Sequence, residues 1–273
     1  VAERTKDLTA ANDRVKELNA LLQSENAYLG AEVENLLNIR RQRLPYFGET
    51  IDIADYKLSF YSAPSRAVGG DFWQVISSSE SNAQICFGEV AGYGLETATL
   101  ALQLQSLCAA DNAADAQTVI RRANRLAYDL ASEDLSTSVA MLHVTITDAG
   151  LDIAGCGETP ITYTGFSADE VNLAEMSTPL GLGPKVDAPS HRLNLRKGQA
   201  LVVYTAGFRA ALARLRNVED VSISANALVK MSGLRERAGS VLLDELQQQD
   251  WFETFNEDVS FIVIVRASVV LSL

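Results

Sequence analysis

Apolar side chains recur every seven positions through residues 1–44, where Val1, Leu8, Val15, Leu22, Leu29 and Leu36 share one heptad position and Gly30 is the only glycine. A seam of that kind predicts one long helix able to pair in a parallel two-stranded coiled coil. A single amphipathic helix lying on its own domain is the alternative. The companion positions read Arg4, Ala11, Leu18, Glu25, Glu32 and Ile39, so charge weakens the second half of the seam. Inward Glu25 and Glu32 would cost stability, as expected of a coil that loosens or shifts to pass a signal. Pro45 is expected to end the helix.

From residue 50 the period changes to that of strands, in Ile51-Asp52-Ile53 and Leu58-Ser59-Phe60-Tyr61-Ser62. Gln84–Phe87 reads as a further strand, and the glycines after it permit a sharp turn into a helix from Leu95 to about Ala110. Val119, Ala123, Leu126 and Leu130 have helical spacing, which predicts a second helix over 116–131 that pairs with the first. Strands are expected at 138–147, 151–154, 160–164, 191–195, 200–205 and 261–266, with helices near 208–215, 222–231 and 236–248 between the last two. Strands in bulk with helices inserted in blocks indicate an α+β fold and argue against a doubly wound parallel sheet.

Composition narrows the setting. A 47% hydrophobic content is that of a chain with a real core, and the net charge of −12 disfavours nucleic acid and anionic membrane surfaces. Protein partners fit better. Cys86, Cys108 and Cys156 are widely spaced, which suggests neither a disulfide framework nor a zinc site and points to a reducing cytoplasm. No apolar run reaches the length of a membrane span, so direct membrane contact is not expected of these residues. The chain begins at Val1 and is expected to be a piece of something longer, with a sensor or anchor upstream.

Four short segments stand in order at the edges of apolar runs: Val68-Gly69-Gly70-Asp71, Gly88-Glu89-Val90-Ala91-Gly92-Tyr93-Gly94, Tyr204-Thr205-Ala206-Gly207 and Glu257-Asp258-Val259-Ser260. Together they resemble the VGGD, DVSGHG, YTDG and DDIT segments of the bacterial SpoIIE/RsbU-type serine phosphatase domain, within the metal-dependent protein phosphatase 2C superfamily. Leu135–Ser138, Ala154-Gly155 with Pro160, and Pro179-Leu180-Gly181-Leu182 extend the resemblance over roughly residues 45–266. It implies two packed antiparallel β-sheets flanked by helices, an αββα sandwich, over residues 45–273, with residues 1–44 as a coiled-coil signalling and dimerisation helix.

The resemblance also implies a site. Hydrolysis of a phosphoester by a water molecule is served by paired Mn²⁺ or Mg²⁺ held by carboxylates at strand ends. In the family the aspartates of the four segments are those ligands, with a glycine carbonyl from the second. Asp71 matches, Gly92 stands where a glycine of the second segment would, and Glu89 and Glu257 replace aspartates with carboxylates one methylene longer. Ala206 replaces a ligand with a methyl group. Tyr93 in place of histidine, Gln199 where an aspartate is common, and Ala210-Ala211 where an acid often follows point the same way. No residue is assigned a catalytic role, and no tightly bound cofactor is expected.

The expectation is therefore a cytoplasmic signalling-output domain, a pseudophosphatase that forms a homodimer through its coil and binds a protein partner such as an anti-sigma-factor antagonist. The rival is an active Mn²⁺- or Mg²⁺-dependent phosphoserine phosphatase acting on such an antagonist through Asp71, Glu89 and Glu257. A deliberately inactivated variant of an active enzyme would explain Ala206, but not Glu89, Gln199 and Tyr93 together. Of the remaining residues, His143 is read as a hydrogen-bonded core histidine, and Trp73 and Tyr93 as packing residues flanking the cleft.

Overall fold

The computed structural model describes residues 2–43, 50–63, 69–79, 81–110, 115–130, 138–157, 161–164, 178–217, 238–255 and 257–267. The chain separates into two compact units, Val1–Arg43 and Leu44–Leu273. The first is a single helix, α1 (Ala2–Arg43), which stops two residues before Pro45. All its residues from 11 to 31 are exposed, including the seam residues Val15, Leu18, Leu22 and Leu29.

The second unit contains two five-stranded antiparallel sheets. One has the order β1 (Thr50–Ile53), β2 (Tyr56–Ala63), β10 (Val259–Arg266), β9 (Ala200–Tyr204), β7 (Ile161–Thr164). The other runs β3 (Asp71–Ser78), β4 (Asn82–Val90), β5 (Val139–Thr147), β6 (Gly150–Cys156), β8 (Ser190–Leu193). Between the sheets lies a core in which Leu58, Phe60, Leu201, Val203, Ile262 and Ile264 face Trp73, Ile85, Phe87, Leu142, Val144 and Ile153. Trp73 stacks on Phe60 across this interface, with ring centroids 6.1 Å apart.

Each sheet is also covered on its outer face. Helices α2 (Leu95–Ala110) and α3 (Ala116–Leu130) lay Leu100, Leu104, Val119, Ile120 and Ala123 over Phe72, Cys86, Met141 and Cys156. Helices α4 (Ala206–Arg216) and α5 (Ala238–Gln247) lay Phe208, Leu212, Leu242 and Leu246 over Tyr61, Val202, Tyr204 and Phe261. Double coverage explains why β9 and β10 read as continuous apolar runs, since alternate residues enter different cores and both are dry. The result is the expected α+β sandwich of two antiparallel sheets flanked by helices.

Two details differ from the sequence reading, and a third expectation is not tested. Strand β3 was not anticipated, although Phe72-Trp73-Gln74-Val75-Ile76 carries its signal; it turns into β4 where the Ser79 amide donates to the Asn82 carbonyl. The helix expected at 222–231 lies outside the described residues. His143 is a core residue, yet neither ring nitrogen has a hydrogen-bond partner among the described residues. It sits on β5 between Cys86 and Ala154 of the adjacent strands.

Burial holds the His143 pKa down, from 6.5 to about 4, against a smaller opposing effect of Asp115. The imidazole is therefore neutral in the folded protein at neutral pH, and its contribution to stability is intact above the unfolded value. As pH falls from 6.5 towards about 4, the unfolded chain takes up the proton first and stability is lost. A shift of this size corresponds to roughly 3 kcal/mol. Urea unfolding between pH 7 and pH 4 should show that loss in the native protein and lack it in His143→Leu; equal slopes for the two would refute the assignment.

Candidate functional site

Each of the four signature segments lies where a strand ends or begins. In the second sheet, the β3–β4 register sets Asp71 opposite Glu89, so two carboxylates stand side by side at one end of the hairpin. Like charges in that relation are destabilising unless something relieves them. Chain 69–70 passes close under the end of β4, where the Gly70 carbonyl accepts from the Val90 amide at 3.1 Å. Gly92, in the turn to α2, has φ +104, a conformation that favours glycine, and it is exposed.

The first sheet supplies the other two segments. Thr205, just past β9, lies opposite Ser260 at the start of β10. The Thr205 amide donates to the Ser260 carbonyl at 3.0 Å, and the Ser260 amide donates to Thr205 Oγ1 at 3.2 Å. The Ser260 hydroxyl donates to Ser62 Oγ at 2.9 Å and carries the clip on to β2. With its hydroxyl engaged there, Thr205 makes no side-chain cap on α4, the helix that begins at Ala206. The Ala206 amide instead donates to Glu89 Oε2 at 2.8 Å, across from the other sheet.

Asp258 is the buried acid of the fourth segment, 5% exposed, while Glu257 beside it is exposed. A side chain on Gly69 would place its Cβ 2.2 Å from the Asp258 carboxyl group, and one on Gly207 would meet the Asp258 carbonyl at 2.1 Å. Close approach, not turn geometry, therefore explains those two glycines. Burial pushes the Glu89 pKa up; the Ala206 amide and Arg209 act against this, whereas Glu257 and Asp258 add to it. The third and fourth segments thus act on Glu89 through a hydrogen bond and through charge, and the first meets it through the strand register.

Of the sequence-predicted residues, Asp71 and Glu89 are brought together, Ala206 touches Glu89 through its backbone, and Glu257 acts on Glu89 through its charge. Among the described residues no group of three or more His, Cys, Asp or Glu side chains is arranged to hold an ion. Gln199 is a correction. It precedes β9, roughly 17 Å of strand from the site end, and its Oε1 accepts from the Arg196 amide to close a turn, so it has no bearing on metal binding. Ala211 is fully buried against the first sheet, where a small residue seats α4. Trp73 is packing as expected, whereas Tyr93 is 72% exposed and is not. Asp258 was missed as a buried acid, although strand alternation with Val259 would have turned it inward.

The four-layer sandwich with acids gathered at strand ends is the architecture of the phosphatase 2C class. A profile for the family described as Stage II sporulation protein E (SpoIIE) matches residues 79–266, and the chain belongs to that family. No curated protein sequence matches it. Among solved structures, the SiaA-PP2C domain of Pseudomonas aeruginosa is similar at TM-score 0.61 and 17% identity, over 89% of this chain and 98% of that one. The RsbU and RsbW domains of a Mycobacterium tuberculosis protein give 0.59 and 20%, over 83% of this chain and 63% of that one. RsbX in complex with magnesium gives 0.58 and 12%, over 79% and 98%. At these identities the likeness is one of fold.

Gly207→Ala should destabilise the protein by about 1–3 kcal/mol, the usual cost of overpacking, because the new methyl meets backbone that must move. Urea denaturation measures it directly, and a loss within error of zero would refute the close contact with Asp258.

Proposed function

We propose that this domain is a pseudophosphatase, a signalling-output module that works by binding a protein partner under the control of an upstream sensor or receiver. One observation carries the reading: the position where the family places a ligand aspartate is Ala206, and the amide of that residue holds the carboxylate of Glu89. A pair of divalent ions needs oxygen ligands converging at short distance. Here one donor is a methyl group, one carboxylate is already engaged, and Glu257 is exposed. The residues present do not fit two ions. Asp71, Glu89, Gly92 and Glu257 are what remains of the ligand set; any ion held there is weak and single, Mn²⁺ or Mg²⁺.

The partner is a regulatory protein of the sigma-factor type, such as an anti-sigma-factor antagonist. A solved relative that joins RsbU and RsbW domains in one chain supports that setting. Exposed Tyr93, next to Gly92 in the second segment, is an aromatic available to such a partner. We place the domain in the cytoplasm, supported by three widely spaced cysteines whose pattern suggests no disulfide framework. Separately, no helix among the described residues is long and apolar enough to cross a membrane.

The unmodified protein should hydrolyse a phosphoserine protein at background rates even in millimolar Mn²⁺. Recovery should require Glu89→Asp, Ala206→Asp and Glu257→Asp together, since coupled ligands do not act additively. Turnover by the unmodified protein that depends on Mn²⁺ and vanishes in Asp71→Asn would replace this reading with that of an active phosphatase.

We also propose that α1 joins two copies in parallel, burying Val15, Leu18, Leu22 and Leu29. Analytical ultracentrifugation at tens of micromolar should find a dimer for the whole chain and a monomer for a truncation starting at Thr50. The same state for both would exclude the coil as the dimerisation element.

A further inference from the structure

We infer that Glu89 and Ala206 are two halves of one device: Glu89 is a helix cap lent by the opposite sheet, which holds the start of α4 directly and without an ion. The inference deepens the pseudophosphatase reading and rests on the same methyl at position 206.

The first amides of an α-helix have no intrahelical acceptor and need one from outside. The Thr205 side chain, at the N-cap of α4, makes no cap hydrogen bond, and an N-cap side chain reaches the second or third amide and not that of Ala206. Glu89 supplies the acceptor, through Oε2 at 2.8 Å from the Ala206 amide, and a carboxylate is the group a helix N-terminus favours. The contact spans the sandwich. Glu89 belongs to β4 in the second sheet, whereas α4 follows β9 in the first.

Both departures from the family's aspartates follow from this contact. An aspartate at 89 would be about 1.5 Å shorter, too short to keep the bond without movement of the backbone. A carboxylate at 206 would set another negative charge beside Glu89, which already faces Asp71, Glu257 and Asp258 and has Arg209 as its opposing charge. Glutamate at 89 and a side chain without charge at 206 therefore belong together. Glu89 is a positioning residue: it acts on the backbone of α4 and on no substrate.

Amide hydrogen exchange of the full chain, read by NMR in EDTA, tests this. The Ala206 amide should exchange at least ~10-fold more slowly in the native protein than in Glu89→Ala or Glu89→Asp. Glu89→Gln, which keeps an acceptor of the same reach, should retain the protection. Millimolar Mg²⁺ should leave it unchanged in the native protein. Slow amides at Leu142 and Val144 report that each variant is folded; if Glu89→Ala does not fold, Glu89→Asp decides. An Ala206 amide that exchanges equally fast in native protein and folded variant, that loses protection in Glu89→Gln, or that is released by Mg²⁺ overturns the inference. Turnover with a protected Ala206 amide would remove the pseudophosphatase reading and leave the cap; no turnover with an unprotected amide would do the reverse.

Discussion

A carboxylate set at the end of a sandwich that is dry on both sides of both sheets must find a partner, and that constraint organises this molecule. Inter-sheet and outer cores leave most charged side chains the strand ends, the edges and the loops. Asp71, Glu89 and Asp258 are all drawn to the same end, each in a setting that disfavours an isolated charge. On a scaffold of this class, cations are the usual answer. In this chain Glu89 has a backbone amide, and that amide belongs to the residue where a further carboxylate was expected.

The surrounding polar contacts form a continuous set. Thr205 and Ser260 lock β9 to β10, and Ser62 extends the lock to β2. That arrangement occupies the hydroxyl that would otherwise cap α4. Gly69 and Gly207 let two backbone segments close on Asp258, so the loop before β3 and the start of α4 meet at one buried acid. A frame of this kind draws its stability from packing and hydrogen bonds and not from the chemistry at its site. Function resides in the site and not in the fold.

Much of the fold was legible in the chain. Alternation and apolar runs located most strands, and helical spacing located α2, α3 and α4. Double burial hid strand faces, since β9 and β10 show no alternation when both faces are covered. Phe72–Ile76 is masked as a strand because Gly69-Gly70 before it and the serines after it carry turn signals. At the site, residue identities were legible from the four segments, but contacts were not. No local pattern links Glu89 to an amide 117 residues further on, or frees Thr205 from capping by pairing it with Ser260. Gln199 shows the opposite error, a residue tied to the site by motif and placed by the fold at the far end of its strand. His143 shows that burial can be inferred from an apolar run, whereas a hydrogen-bond partner for the ring cannot.

We propose above that direct contacts between protein groups stand where this scaffold would otherwise hold paired ions. Calorimetric titration of Mn²⁺ into the metal-free protein tests it most directly. The account predicts at most one weak site, with Asp71→Asn abolishing what binding there is. Two ions bound at micromolar affinity would contradict it.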